Sequence, residues 1–315
     1  MNRTDQTAAI RALRSAAPYI RMYKGKTFVI KAGGGVFGNP ALTQSLIEQI
    51  SILHYMGVRV VMVHGGGPQL TEVSEAMGVK TRMVQGRRVT DEKSIDVTSM
   101  VLNGLINTRI LAICRELNVQ AVGLSGVDAG LVQAHRRKPV KLEGSNEIVD
   151  YGLVGDIDRI DTTAIRNLLE NGYLPIISPL SADENGTLLN INADTVAAAI
   201  GAALSAEKLI LCTGAPGILE RLDDPGSLIS YTDLEGLQQL RDSGSLSDGM
   251  LPKSRAIESA IKGGVQRVHV VSYASPEGIL GEVFTNEGTG TLIVADIDHL
   301  PANEQQSGPA GAATA

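Results

Sequence analysis

The stretch VIKAGGGV, Val29 to Val36, runs a short apolar segment straight into a lysine and three consecutive glycines. Glycines after a strand let backbone N–H groups approach an anion closely and permit dihedrals that a Cβ forbids. Two readings stand side by side for it alone: an anion-binding turn, or a tight strand-to-helix connection beside a solvated lysine. Outward from it, TFVIKA, VRVVMV, QAVGL, LPIISPL, KLILC and VHVVS are continuous apolar runs, not alternating ones. Strands buried on both faces of a parallel sheet have that pattern. Helical windows lie between them at Leu42 to Met56, Pro68 to Met77, Asp91 to Leu117, Thr162 to Asn171, Asp194 to Leu204 and Lys253 to Lys262. The expected class is α/β, a three-layer αβα sandwich around a mainly parallel central sheet.

Before the first strand, residues 6–22 read as an amphipathic helix with Ile10, Leu13, Ala17 and Ile20 on one face, which Pro18 should kink or shorten by its last turn. The polar segment 133–160 reads as a hairpin excursion from the sheet. Residues 223–249, rich in Asp, Gly and Ser around a short helix near Leu234 to Leu240, read as a mobile flap. The tail 301–315 has no apolar periodicity and is expected to be disordered. Lys and Arg number 28 against 34 Asp and Glu, a net charge of −6, which argues against a dedicated nucleic-acid binder. No run approaches the roughly 18 apolar residues of a spanning helix, so no membrane is expected. Cys114 and Cys212 are too few for a disulfide framework, and a cytoplasmic protein is expected.

Three turns fall after strands, where ligands of open α/β sheets bind. Besides Lys31 to Gly35 there is VHGGGP, Val63 to Pro68, whose Gly65, Gly66 and Gly67 precede a helix with proline in its first turn. NINAD, Asn190 to Asp194, opens an Ala-rich helix; taken alone, Asp194 reads as its capping residue. Lys253, in SDGMLPKS, places a positive charge at a helix start, which is unfavourable unless an anion is bound. Neither glycine turn is a Walker A loop or a G-x-G-x-x-G fingerprint. His64 reads as structural, and no His-Cys-carboxylate spacing suggests a metal site.

In order, KAGGG, VHGGGP, GRRVT (Gly86 to Thr90), NINAD and SDGMLPKS, spread over Lys26 to Val294 and followed by EGTGT, resemble the amino acid kinase family. The likeness is greatest to those members that phosphorylate the γ-carboxylate of N-acetyl-L-glutamate with ATP, giving N-acetyl-L-glutamyl 5-phosphate on the acetylated route to ornithine and arginine. The resemblance implies Lys31 and Lys253 flanking the transferred phosphoryl group, with Asp194 holding both. It implies Gly33, Gly34, Gly35, Thr213, Gly217, Gly249 and Lys253 on the nucleotide. Gly65, Gly66, Arg88, Asn190 and Asn192 would lie on the acyl amino acid. Mg²⁺ would be held by the nucleotide's phosphates, with no protein metal cluster. A carboxylate acceptor is already ionised, so the chemistry rests on positioning and charge without a general base.

The same resemblance implies a division into an N-terminal helical extension (1–23), a lobe for acyl-amino-acid binding and dimerisation (24–205), an ATP-binding lobe (206–300) and the tail (301–315). PYIRMYKGK, Pro18 to Lys26, resembles the extension of arginine-inhibited hexamers, trimers of dimers; Tyr19, Lys208, His269 and Glu282 match their arginine site. Two stretches depart from the pattern. Where many relatives carry Thr or Ser followed by Asp, this chain reads Thr213, Gly214, Ala215, and where they carry HIIDGR it reads HVVSYA, His269 to Ala274. Two other readings are a kinase for N-succinylglutamate or an N-acetylaminoadipate-like acid, and a non-catalytic nucleotide- or arginine-binding regulatory subunit. The latter would be marked by loss of Lys31, Asp194 or Lys253, and all three are present.

Overall fold

The computed structural model describes residues 3–142, 146–221, 223–246, 249–285 and 288–297; the tail 301–315 lies outside them. Its centre is an eight-stranded sheet of β1 (Thr27–Ala32), β2 (Arg59–His64), β5 (Ala121–Ser125), β10 (Leu174–Ser178), β13 (Lys208–Thr213), β14 (Tyr231–Asp233), β15 (Arg267–Ser272) and β16 (Thr291–Val294). The order is β14-β16-β15-β13-β1-β2-β10-β5. Pairing is parallel except between β15 and β16, so the sheet is mainly parallel as its continuous apolar strands indicate.

Side chains alternate across a strand, and the two faces of β1 meet different helices. Phe28, Ile30 and Ala32 share a core with α2 (Pro40–Tyr55) and with the long helical stretch from Glu92 to Glu116. Val29 shares the opposite core with α6 (Thr163–Glu170), α7 (Ala193–Ala203) and α9 (Met250–Lys262). Lys31 follows Val29 by two residues and therefore faces the α7 and α9 layer. These helices on both faces make the three-layer αβα sandwich.

Several elements differ from the sequence reading. The window Asp91 to Leu117 is three pieces: α4 (Glu92–Ser99), a π-helical stretch Met100–Asn107, and α5 (Thr108–Glu116). By length and composition the whole of Glu92–Glu116 could cross a membrane, contrary to the expectation from apolar runs. Its Val97, Val101, Leu102, Ile106 and Ile110 are buried against the sheet. The N-terminal helix α1 (Arg3–Tyr23) continues through Pro18 with no break, because packing of Tyr19 on Phe284 and of Tyr23 on Phe28 holds its last turn. α9 begins at Met250, not Lys253, since Pro252 needs no acceptor for a missing N–H in a first turn.

The excursion at 133–160 is indeed a hairpin, β6 (Val132–Arg136) with β9 (Gly155–Ile160). It extends further than expected into a four-stranded sheet with β11 (Leu180–Ala182) and β12 (Leu188–Asn190). Two small hairpins accompany it, β3 (Arg82–Val84) with β4 (Arg87–Val89), and β7 (Val140–Lys141) with β8 (Ile148–Val149). The 223–246 part of the expected flap contributes the edge strand β14 and α8 (Leu234–Asp242). α8 buries Leu237 and lies on α9 through Arg241 and Glu258, 2.7 Å apart. Ser247 and Asp248 of that flap lie outside the described residues. α3 (Gly67–Ala76) and α10 (Gly278–Phe284) complete the set used below.

Candidate active site

Register builds the site. Ala32 at the end of β1 stands opposite His64 of β2 on one side and Cys212 of β13 on the other. The turns that follow must therefore leave the same sheet edge side by side. KAGGG and HGGGP meet backbone to backbone: a Cβ on Gly34 would lie 2.8 Å from the Gly67 nitrogen and 2.9 Å from Gly66. Gly66 is confined in turn, because its Cβ would lie 2.5 and 2.7 Å from Ile106 and Leu102 of the π-helical stretch. Gly65 donates its N–H to Ala32 O, and Gly66 caps α3, whose amides and dipole face the junction.

On the α7 and α9 face, Lys31 Nζ lies 2.8 Å from Asp194 Oδ1, and Lys253 Nζ lies 3.1 Å from Oδ2 and 3.2 Å from Oδ1. All three side chains are about nine-tenths buried. Burial pushes the Asp194 carboxyl up, but the charges of Lys31 and Lys253 outweigh it and leave its pKa lowered to about 2. The Lys253 pKa is lowered by burial and by Lys31 across the site, with Asp194 opposing both. Two ammonium groups share one carboxylate, so the cluster carries an uncompensated positive charge, which burial makes costly until an anion arrives. Asp194 is not the cap of α7. That place belongs to Asn192, whose Oδ1 accepts from the Asp194 and Thr195 amides at 2.8 and 3.2 Å, which frees the Asp194 carboxylate for the lysines.

A cleft of about 740 Å³ opens from this cluster along the β2 side, within the range of small-molecule sites. Lys31, Gly34, Gly65, Gly66, Arg88, Asn190, Asn192, Asp194 and Gly249 line it. Arg88, on β4 after the tight Gln85 and Gly86 turn, is set by three hydrogen bonds: Nη1 to Thr81 Oγ1 (2.9 Å), Nη2 to Thr71 Oγ1 (2.7 Å) and Nη2 to Gly67 O (3.2 Å). Asn190 donates to Thr90 Oγ1 at 3.2 Å. Sequence reasoning passed over Thr71 and Thr81, which hold Arg88, and Arg87 and Arg137, which also line the cleft. The arginine pair in GRRVT and the RRKP run were their only signals, since Arg137 reaches the cleft through β6 and its pairing with Asp156.

The remaining expected nucleotide residues lie toward β13. Gly33 donates its N–H to Cys212 O (3.1 Å), and the Thr213 hydroxyl closes its own turn on Ala215. Gly217 is packed so that a Cβ would lie 2.6 Å from Leu228 and from Thr291. Gly35 is overlain by the Tyr273 ring. His64 is wholly buried, its pKa lowered by burial to about 4. Its Nδ1 sits 3.1 Å from Gly65 O and its Nε2 3.3 Å from Asn107 Nδ2, which makes Nδ1 the protonated nitrogen. Among the described residues no group of three or more His, Cys, Asp or Glu is placed to hold a metal.

The four residues matched to an arginine site lie elsewhere, at the far end of β13 and β15. Lys208 Nζ is 2.9 Å from His269 Nε2, and His269 Nδ1 is 2.6 Å from Glu282 Oε1. Burial and Lys208 hold the His269 pKa low. Burial pushes Glu282 up, but the His269 hydrogen bond and the Thr289 and Gly290 amides outweigh it. Tyr19 packs edge-on against Phe284 of α10, the helix that carries Glu282.

Comparison with known proteins adds relatives to this geometry. The sequence model of the "Amino acid kinase family" matches residues 26–272. An acetylglutamate kinase from Myxococcus xanthus is 45% identical over 295 residues, covering 92% of this chain and 96% of the relative. One from Archaeoglobus fulgidus is 41% identical over 285 residues, covering 90% and 98%. Among solved structures, the N-acetylglutamate synthase from Neisseria gonorrhoeae is similar in two complexes. With coenzyme A and N-acetyl-glutamate it has a TM-score of 0.79 at 28% identity, over 91% of this chain. With coenzyme A and L-arginine it has a TM-score of 0.78 at 27% identity, again over 91%. This chain spans 63% and 65% of those synthase chains.

Proposed function

The chain belongs to the amino acid kinase family, and on that premise we propose that the buried cluster of Lys31, Asp194 and Lys253 is where it transfers the γ-phosphoryl group of ATP to N-acetyl-L-glutamate. A γ-carboxylate oxygen attacks the γ-phosphorus, the bond from phosphorus to the ADP oxygen breaks, and the product is the mixed anhydride N-acetyl-L-glutamyl 5-phosphate. The reaction serves arginine biosynthesis. The observation that carries the site assignment is the excess positive charge, buried where two glycine turns meet. Phosphoryl transfer concentrates negative charge on the equatorial oxygens, and fixed ammonium groups stabilise it with little reorganisation.

In this reading Lys31 and Lys253 face the transferred group, and Asp194 keeps both charged and in place. The amides of the KAGGG turn meet the phosphates. Gly65, Gly66 and Asn190 receive the acid, and Arg88 pairs with its α-carboxylate, for which a planar fork held by two threonines is suited. Asn192 acts through the α7 cap, setting where Asp194 sits. The acid falls to the 24–205 half and the nucleotide to the 206–300 half. The sole carboxylate lining the cleft among the described residues, Asp194, is saturated by two lysines, so Mg²⁺ would be held by the nucleotide's phosphates. Incubation with ATP, Mg²⁺ and N-acetyl-L-glutamate in hydroxylamine should trap the hydroxamate, with N-succinylglutamate and N-acetylaminoadipate as comparators. Folded protein that yields no hydroxamate from N-acetylglutamate refutes the assignment.

Feedback inhibition by L-arginine is part of the same proposal. It is supported by the buried relay of Lys208, His269 and Glu282, by the packing of Tyr19 on Phe284 of the helix that carries Glu282, and by the arginine-bound synthase neighbour. Apolar side chains exposed on α1, Ile10 at 60% and Leu13 at 63%, support an assembly of dimers through this helix. The two buried thiols fit a reducing cytoplasm. L-Arginine should inhibit the full-length protein, and deletion of residues 1–23 should reduce a hexamer to dimers; a full-length dimer indifferent to arginine removes this part alone.

A further inference from the structure

We propose that Tyr273 is a nucleotide-contacting residue, its phenol O–H donating to the phosphate chain of ATP. The first observation is a convergence on one side chain. The space that would hold a Cβ at Gly35 and at Gly214 is taken by the Tyr273 side chain, whose ring also lies in contact with the Gly33 position. A Cβ on Gly35 would overlap the Tyr273 hydroxyl outright, one on Gly214 would lie 3.0 Å from that oxygen, and one on Gly33 would lie 3.9 Å from the ring edge. Gly33 and Gly35 belong to the turn after β1, and Gly214 to the turn after β13. One phenol therefore bridges two turns that are neighbours in space and about 180 residues apart in sequence.

The second observation is where those turns lie. β1 leads on to β2 on one side, while β13 pairs with β1 on the other, so the crevice beyond their carboxyl ends is the point at which the sheet's winding reverses. Ligands of open α/β sheets bind in that crevice. Tyr273 leaves the end of β15 and is fixed there by its own N–H, which donates to Thr213 O at 2.9 Å. The same Gly33 position is 3.9 Å from Lys31 Nζ, so the phenol and the ammonium flank a single glycine. The ring packs on the α2 side of the core while remaining partly exposed. Its hydroxyl makes no hydrogen bond to the described residues, and it is a donor lying against Gly35 and Gly214, in the two turns that border this crevice.

This inference rests on the kinase reading and deepens it on the nucleotide side. Removing one hydrogen bond to a charged oxygen weakens binding by roughly 10- to 100-fold. Calorimetry with AMP-PNP and Mg²⁺ on the full chain should show that loss in Tyr273→Phe. The KM for ATP should rise in parallel, with kcat changed by less than about threefold and the KM for N-acetylglutamate unchanged. Equal AMP-PNP affinity in wild type and Tyr273→Phe overturns the inference and leaves the kinase reading standing. Tyr273→Ala separates contact from occupancy: tighter AMP-PNP binding would mean that the ring stands in the nucleotide's own place, which also overturns it. Wild-type protein that neither binds AMP-PNP nor yields hydroxamate overturns both.

Discussion

Asp194→Asn removes the one negative charge of the buried cluster while keeping its size. Both ammonium nitrogens lie on the same oxygen, at 2.8 and 3.2 Å, so they are at most about 6 Å apart. Their repulsion at that separation is present with or without the carboxylate; what the substitution withdraws is the attraction of Asp194 Oδ2 for Lys253 Nζ across 3.1 Å, about 5 kcal/mol at an effective dielectric of about 20, equivalent to about four pKa units. Lys253, already lowered by burial and by Lys31, is the group that should yield its proton. A kinase that needs both charges loses activity as pH rises through that pKa. The basic limb of the kcat profile, followed by hydroxamate formation, should therefore move toward acid, by up to about four units. At pH 7 the loss of one stabilising charge should lower kcat by roughly 10²- to 10³-fold, with circular dichroism showing the fold retained. A variant whose basic limb stays where the wild type has it, with kcat within about tenfold, refutes the claim that the carboxylate keeps two lysines charged.

Gly34→Ala should abolish turnover in a folded protein, because the new methyl group meets main-chain atoms of Gly66 and Gly67 that cannot step aside as a side chain would; crystallography of the variant should show the two turns parted. Arg88→Lys should raise the KM for N-acetylglutamate roughly 10- to 100-fold with kcat little changed, since lysine cannot reproduce a fork held by Thr71 and Thr81; a larger effect on kcat than on KM would refute that role. For stability against pH, His64 has a folded pKa lowered to about 4 from the ordinary 6.5. The unfolded chain takes up that proton below pH 6.5 and the native protein only near 4, so stability falls as pH drops between them, by about 2 kcal/mol at pH 5. Urea midpoints at pH 7 and pH 5 should show the loss, and His64→Gln should reduce it. Asp194, lowered to about 2, stabilises above its unfolded value near 4 and loses that contribution as pH falls toward 2.

What could be read in the sequence was what local spacing encodes. Unbroken apolar strands ending in glycine turns gave the parallel sheet and its ligand-bearing edge, and Lys31, Asp194 and Lys253 each stood at a strand end or helix start. The π-helical stretch was hidden because Val101, Leu102, Ile106 and Ile110 keep an apolar pattern that an α-helix would also satisfy; its altered pitch is selected by contact with Gly66 and by Asn107 bonding His64 and Ile176 O. The exchange of roles between Asn192 and Asp194 turns on one dihedral step at the helix start, which residue type does not fix. Tyr273 and Arg137 reach their places through distant strands, and no local pattern announces either.

The contact of Gly34 with Gly66 and Gly67 works as a gauge. No side chain stands between the two turns, so on the proposed assignment the span from nucleotide to acid would be set by the radii of main-chain atoms. Substitutions around Arg88, Arg87 or Met83 can reshape what the far end of the acid carries without touching that span. On that assignment rate and selectivity would fall to separate sets of residues, and the acyl pocket could be retargeted by mutation while the reaction distance stayed as it is.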